Sequence, residues 1–509
     1  MIFLKRKYHI EKRGKIIKMI SSKKPYKDIA SIMSICDSGF GRKLFGQEIV
    51  VTVAQNHPLI VLGNQLPWNE MLELVENDLR QSTLLKKLHY GRKLKIRIHL
   101  GAYLLQQMYN LTDLATETGI RDNGAYQVFC GVGIVDAWHV PDATKIETFR
   151  SRLSPDTQQK LANLMCKNAV DKGLAEAKDI DVDSTAQEAN MTYPTDAKML
   201  RKIGTVALKV AKSLKKLLPN DGAGFNLDVD IKSIASKARA CFFLPKKATK
   251  EDKSQRLSEL FDVVFHPVCN IINACELVKA TIKDALAWNV QRSMEQLEHA
   301  TAYFASVKQY IATGTASQTK RLSLHLNEVA CFNKKKAHKK YEFGRAFQIG
   351  RLTKGNFLFV GKSTDIRMDD KKSFIPMLQE HENLFGKNIL ESVATDKGYY
   401  SNKNVKALTS RSVTQIGIQI PGNTKNKHIT LSEEESAHLV NRRAGIEPLI
   451  GHAKHGGQLG LSRMKNDRNT ESAGYAAILG FNLRQTTRAL LVKLKAQCGP
   501  PLVCGADIF

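Results

Sequence analysis

One alternating stretch limits the fold most, because a long helical segment cuts it off from the other strand-like pieces. At 178–187, Ile180 and Val182 alternate with Asp181 and Asp183, the period-two signal of a strand with one polar face. From 205 to 317 the pattern is helical. Leu214, Leu217 and Leu218 are interleaved with lysines, and Pro219-Asn220-Asp221-Gly222 stops that helix. Thr249 and Asp252 are spaced as a helix start, and no Pro or Gly falls between 275 and 312. Strand-like stretches return at 342–349, 356–360, 389–396 and 415–420, with helices over 373–385 and from Ser401. The pattern predicts a mixed α/β layer, interrupted by a helical insertion.

The segment before this layer reads as helix. Leu66-Pro67-Trp68 opens an amphipathic stretch, and Ile98, Leu100, Tyr103, Leu104, Met108 and Leu111 recur at roughly helical spacing. Thr112 should cap a short helix that Gly119 stops, with a second around 125–129. Helix, tight turn, helix is a form that places one helix in a DNA groove; it is equally a packing module. Ser154-Pro155 starts a further helix, with Pro in its first position. The expected boundaries are 1–59 for a basic leader, 60–170 for the helical domain, 171–204 and 318–509 for the α/β core, and 205–317 for the insertion.

The partner is suggested by charge. Lys and Arg number 77 against 49 Asp and Glu, a net charge of +28, which fits nucleic acid or another anionic surface. The first 50 residues carry 12 basic against 4 acidic side chains, as a DNA-embracing arm or a solvated leader would. None of the nine cysteines forms a Cys-x-x-Cys pair, which argues against structural zinc. Without a signal peptide or a run of about 18 apolar residues, the expectation is a reducing cytoplasm and no membrane.

Three neighbourhoods carry candidate chemistry. Ser432-Glu433-Glu434-Glu435 is a capping-box start. If that helix runs through Lys454, Arg443, Glu447 and Lys454 lie at about 0°, 40° and 20° around it, so one face carries all three. An exposed Arg443–Glu447 ion pair explains the same spacing. Pro448 should disturb the helix beside Glu447. Asp396 ends a short strand, while Asp181 and Asp183 share one strand face. Two aspartates on adjacent strands facing a helical glutamate would repel without cations, and Mg²⁺ prefers such oxygen donors. His452 and His455 flank Lys454, as phosphate donors or as metal ligands.

These segments, taken in order, resemble bacterial insertion-sequence DDE transposases of the branch with the Tyr-Arg-Glu-Lys signature, closest to the IS-five-like members. The matching stretches are Asp183-Ser-Thr through Asp196, Thr395-Asp396-Lys-Gly-Tyr399, and Arg443-x3-Glu447-x6-Lys454. Tyr103 to Tyr109, Val140 to Arg150 and Asn482-Leu483-Arg484 also fit. The resemblance implies an RNase H-like core in which Asp183, rather than Asp181, joins Asp396 and Glu447 in holding two Mg²⁺, with Mn²⁺ as a substitute. It implies double-stranded DNA as partner, both transposon ends and target, a homodimer on that DNA, and a bacterial, nucleoid-associated location. Arg443 and Lys454 would contact end phosphates. Arg463 and Lys465, and the run Arg92, Lys93, Lys95 and Arg97, are further DNA-contact candidates. The second short helix would read bases. Two departures stand out. Val440 replaces the signature tyrosine, and 396 − 183 = 213 positions separate the two aspartates.

Overall fold

A computed structural model describes residues 40–44, 47–51, 53–81, 95–132, 140–217, 226–245, 247–281, 288–317, 320–333, 340–361, 369–422 and 431–497. The chain divides into two compact units. The first takes in Met1–Glu188, Phe332–Met464 and Arg468–Phe509, and the second Ala189–Cys331 and Lys465–Asp467. The bulk of the N-terminal basic leader lies outside the described residues.

The first unit opens with an antiparallel hairpin, β1 (Phe40–Leu44) and β2 (Gln47–Val51). Seven helices follow: α1 (Pro58–Gln65), α2 (Trp68–Gln81), α3 (Ile96–Tyr109), α4 (Asp113–Asp122), α5 (Gly124–Phe129), α6 (Ala143–Arg152) and α7 (Pro155–Asp171). Their starts are set by side-chain caps. Thr112 accepts from Ala115 N at 3.1 Å, Asp142 from Lys145 N at 2.9 Å, and Ser154 from Thr157 N at 3.2 Å. Each cap satisfies an amide that has no partner inside its own helix.

Gly119 does not stop α4, contrary to the sequence reading. The helix runs on to Asp122, and Asn123 then caps α5. Gly119 serves packing instead, because a Cβ there would crowd the Tyr126 ring. Helix α3 is buried on all sides, so its apolar spacing marks a central helix rather than a surface one.

The sheet begins with β3 (Asp179–Glu188) and is completed by β4 (Ala330–Asn333), β5 (Tyr341–Leu352), β6 (Phe357–Val360), β7 (Ser392–Thr395) and β8 (Gln415–Ile418). The order is β4-β5-β3-β7-β8, with β6 on β5. β5 runs antiparallel to β3, whereas β7 and β8 run parallel to it. The architecture is mixed α/β, an open mixed sheet flanked by helices. Ile180, Val182, Phe357, Phe359, Phe374, Val393 and Tyr399 form part of one core against the sheet. Around it lie α12 (Asp370–Phe385), one turn of 3₁₀ helix at Lys397–Tyr399, and α13 (Asn402–Thr409).

The C-terminal part holds α14 (Glu433–Ala444), α15 (Ile446–His455) and α16 (Asp467–Gln497). Asn482 of α16 donates to Leu358 O at 2.7 Å and Ala162 O at 3.1 Å, and accepts from Leu358 N at 3.1 Å. Arg484 donates to Met108 O at 2.7 Å. The Asn482-Leu483-Arg484 motif is thus a set of buried staples for otherwise unpaired backbone groups.

The second unit is helical, with α8 (Asp196–Leu217), α9 (Ile231–Phe242), α10 (Lys250–Thr281) and α11 (Trp288–Thr313) around a separate apolar core. Thr249 and Asp252 cap α10 reciprocally, at 2.9 and 3.1 Å. Asp196 accepts from Tyr303 Oη at 2.5 Å and pairs with Lys320 at 2.6 Å.

Candidate active site

Parallel pairing brings the two aspartates of interest side by side. Val182 lies opposite Thr395 in the β3–β7 register, so Asp183 and Asp396 are the next residues on neighbouring strands. Asp183 sits in mid-strand, opposite Ile349 of β5. Asp396 is the first residue beyond β7, where its side chain accepts from Lys397 N at 2.6 Å and caps the 3₁₀ turn. Sites in open sheets gather where parallel strands end.

The environment of Asp183 disfavours its charge. Burial pushes its carboxyl up to about 6; the Ser184 amide and Arg443 oppose this, while the charges of Asp396 and Asp370 add to it. Asp370 was not singled out from the sequence. It opens α12, and its carboxylate is the nearest group to where a Cβ on Gly398 would stand. Tyr399 lies beneath, fully buried. Burial, with the charges of Asp370 and Asp183, holds its phenol well above the ordinary range.

Glu447 approaches from α15. Helices α14 and α15 are separated at Gly445 rather than continuous from Ser432 to Lys454. Two causes meet there. Pro448 has no N–H to offer the carbonyl four residues back, that of Ala444. A Cβ at Gly445 would also run into the Arg351 guanidinium. The break leaves the face together: Arg443 Nη2 donates to Glu447 Oε1 at 3.2 Å, and Arg443 Nη1 lies 4.0 Å from Asp183 Oδ2. Arg443 thus bridges two of the three acids. The Ser432–Glu435 capping box is present.

Asp181 has a different part. It is fully buried and takes Arg442 Nε at 2.9 Å and Arg351 Nη1 at 3.1 Å. Arg442 also donates to Ser392 Oγ at 2.7 Å and Ile180 O at 3.1 Å. This network ties β3, β5, β7 and α14 together.

The candidate DNA contacts divide. Lys454 is partly buried near the end of α15, and Arg463 is exposed in the first unit; Lys465 is exposed and belongs to the second. His452 and His455 are exposed. Arg92 and Lys93 lie outside the described residues, and Lys95 is exposed just before α3. Arg97 is a correction: it is only 8% exposed, donates to Phe129 O at 2.9 Å, and its guanidinium lies 3.3 Å from the Trp68 ring centre. A side chain spent on the core has no reach to a phosphate. Burial also weighs against base reading by the second short helix. Four of the six α5 residues, Ala125, Gln127, Val128 and Phe129, are buried. Val440, in place of the signature tyrosine, is half exposed on α14.

Among the described residues, no three His, Cys, Asp or Glu side chains stand close enough to hold a metal ion. Asp183 does feel the charges of Asp396 and Asp370, and carboxylates are the hard oxygen donors that Mg²⁺ prefers. The arrangement is open on the Glu447 side, where Arg443 takes that carboxylate. No helix among the described residues is long and apolar enough to cross a membrane.

Comparison with known proteins bears on the N-terminal part. Residues 48–152, from β2 through α6, match the family model described as Transposase domain (DUF772). Over 173 residues the chain is 22% identical to a Rhizobium meliloti protein described as "Uncharacterized protein ORF8 in nfe locus", covering 33% of this chain and 80% of that one. No solved structure matches. The domain match supports a transposase family for this N-terminal part.

Proposed function

We propose that the chain is a DDE transposase with an RNase H-like core, acting on the terminal repeats of its own insertion sequence. The observation that carries the reading is the parallel pairing that sets Asp183 beside Asp396, with Glu447 linked to Asp183 through Arg443. Asp183, Asp396 and Glu447 would hold two Mg²⁺, or Mn²⁺, once Glu447 is free of Arg443. Bound there, the ions supply activation of water and stabilisation of the leaving oxygen.

The rest falls to the protein. Arg443 and Lys454 hold phosphates on either side of the scissile bond, and Arg443 exchanges its carboxylate partners for a phosphate when DNA arrives. Water attacks the phosphodiester at the element's end. The freed 3′-hydroxyl then attacks a target phosphodiester at the same site, forming the new bond as the target's own 3′-oxygen leaves.

The test is divalent-metal-dependent cleavage of end DNA by the full chain, followed by joining to a target plasmid. Asp183→Asn, Asp396→Asn and Glu447→Gln are each expected to abolish cleavage while the protein still binds DNA. Full cleavage by any one variant removes that residue from the site. Cleavage without joining would make the protein a nuclease, and binding without cleavage an inactive relic of a mobile element.

A further inference from the structure

We infer that the turn between α9 and α10 of the second unit is a DNA-contacting wedge with Phe243 at its point. Phe242-Phe243-Leu244-Pro245 is a run of four apolar residues at this turn. Among the described residues, Phe243 is the most exposed large hydrophobic side chain, at 76%, and its neighbour Phe242 is 39% exposed. Apolar surface gathered in this way marks an interaction site more often than a scattered single residue does.

The turn is braced from behind. Phe243 N donates to Arg239 O at 3.0 Å. Arg256 Nη1 donates to Ala240 O at 2.8 Å, Cys241 Sγ to Arg256 O at 3.4 Å, and Lys237 pairs with Glu259 at 3.1 Å. The start of α10 is fixed by the reciprocal Thr249–Asp252 caps. The ring is therefore presented by a firm scaffold, and little order remains to be gained on binding.

Charge names the partner. Arg239, four residues before Phe243, and Lys247, Lys250 and Lys253, four to ten residues after it, are all exposed. Of the two exposed acids among them, Glu251 and Asp252, the second is engaged in the cap. Aromatic rings framed by cations suit a strand whose phosphates meet the cations while a base or opened base step meets the ring. The inference rests on the reading of the chain as a DNA-acting protein, but not on the carboxylate chemistry of Asp183.

The experiment uses the full chain and two 30-base-pair duplexes of one arbitrary sequence, one intact and one with a central mismatched step. The wild type is expected to prefer the distorted duplex. Phe243→Ala should lose about tenfold in affinity for it, the scale of one lost ring–base stack, while Phe243→Trp keeps the preference. Lys247→Ala with Lys250→Ala should weaken both duplexes alike and reduce the salt slope by about two. Phe243 is exposed, so a thermal melt should match wild type and remove unfolding as an explanation. An unchanged preference in Phe243→Ala overturns the inference. So does Phe243-dependent binding to anionic phosphatidylglycerol vesicles, or Phe243-dependent self-association in sedimentation, if duplex binding is unaffected. Failure of the wild type to bind either duplex would also sink the DNA-acting reading itself, which an unchanged preference would leave standing.

Discussion

Two aspartates one step apart on the same strand face, Asp181 and Asp183, have opposite fates. Asp181 is sealed between two guanidiniums, so its loss would strand Arg442 and Arg351, each 13% exposed at the side chain. Removing one partner of a buried pair is strongly destabilising. Asp181→Asn should cost about 3–5 kcal/mol of stability, read as a lowered denaturant midpoint. Asp183→Asn should act the other way in protein freed of metal by EDTA. The Asp183 carboxyl titrates near 6 in the fold against an ordinary 3.8, so the fold disfavours its ionised form. That penalty is absent below pH 3.8, grows as pH rises towards 6, and is complete above it. Asp183→Asn should match wild type in melting temperature at pH 3.5 and exceed it at pH 7.5. Equal melting temperatures at pH 7.5 would mean that Asp183 carries no such penalty. In the local strand pattern the two acids are equivalent, and only the family resemblance favours Asp183. What separates them is which arginines reach them, and Arg351 and Arg442 come from elements 170 and 261 positions away.

At the scale of elements, the sequence carried most of the strands and helix starts, because caps and period-two patterns act within a few residues. Ser154, Ser401 and Ser432 cap their helices as their spacing implies. The misreadings concern residues whose partners are remote. Arg97 looked like part of a basic run, yet Trp68 and the Phe129 carbonyl draw it inward. Asp370 went unnoticed because only the fold brings α12 to Gly398. The α14–α15 break was half legible: Pro448 announces it in the sequence, but its second cause, Arg351, is distant. Gly445 has φ −67° and ψ −11°, a region that alanine adopts freely. Any loss in Gly445→Ala must therefore be steric, with the Arg351 guanidinium held in place by Asp181, Asn356 and the Arg442 carbonyl. The expected destabilisation is about 1–3 kcal/mol, typical of overpacking. It should shrink when Arg351→Met is combined with it. A Gly445→Ala effect of the same size in both backgrounds would show that the break has another origin.

On the scale of the whole molecule, each compact unit is organised around its own hydrophobic packing. The first unit contains the β-sheet and candidate acids, with the transposase-domain match over its N-terminal helices; the second is helical. With a net charge of +28, DNA binding should weaken steeply with salt, whatever the sequence bound. Charge alone does not say how many copies act together. An element has two ends, and one set of carboxylates can process one end at a time, so the reading of the chain as a transposase requires two copies on paired ends. Mixing supplies the test. If wild-type and Asp183→Asn chains combine at random as dimers in equal amounts, only about a quarter of the pairs carry two intact sites. Joining of both ends to a target should then fall to about a quarter of its wild-type level at the same total protein. Nicking at single ends, which needs one intact site, should fall only to about half. If both activities instead fall to about half, each chain works alone and the paired-end assembly is wrong.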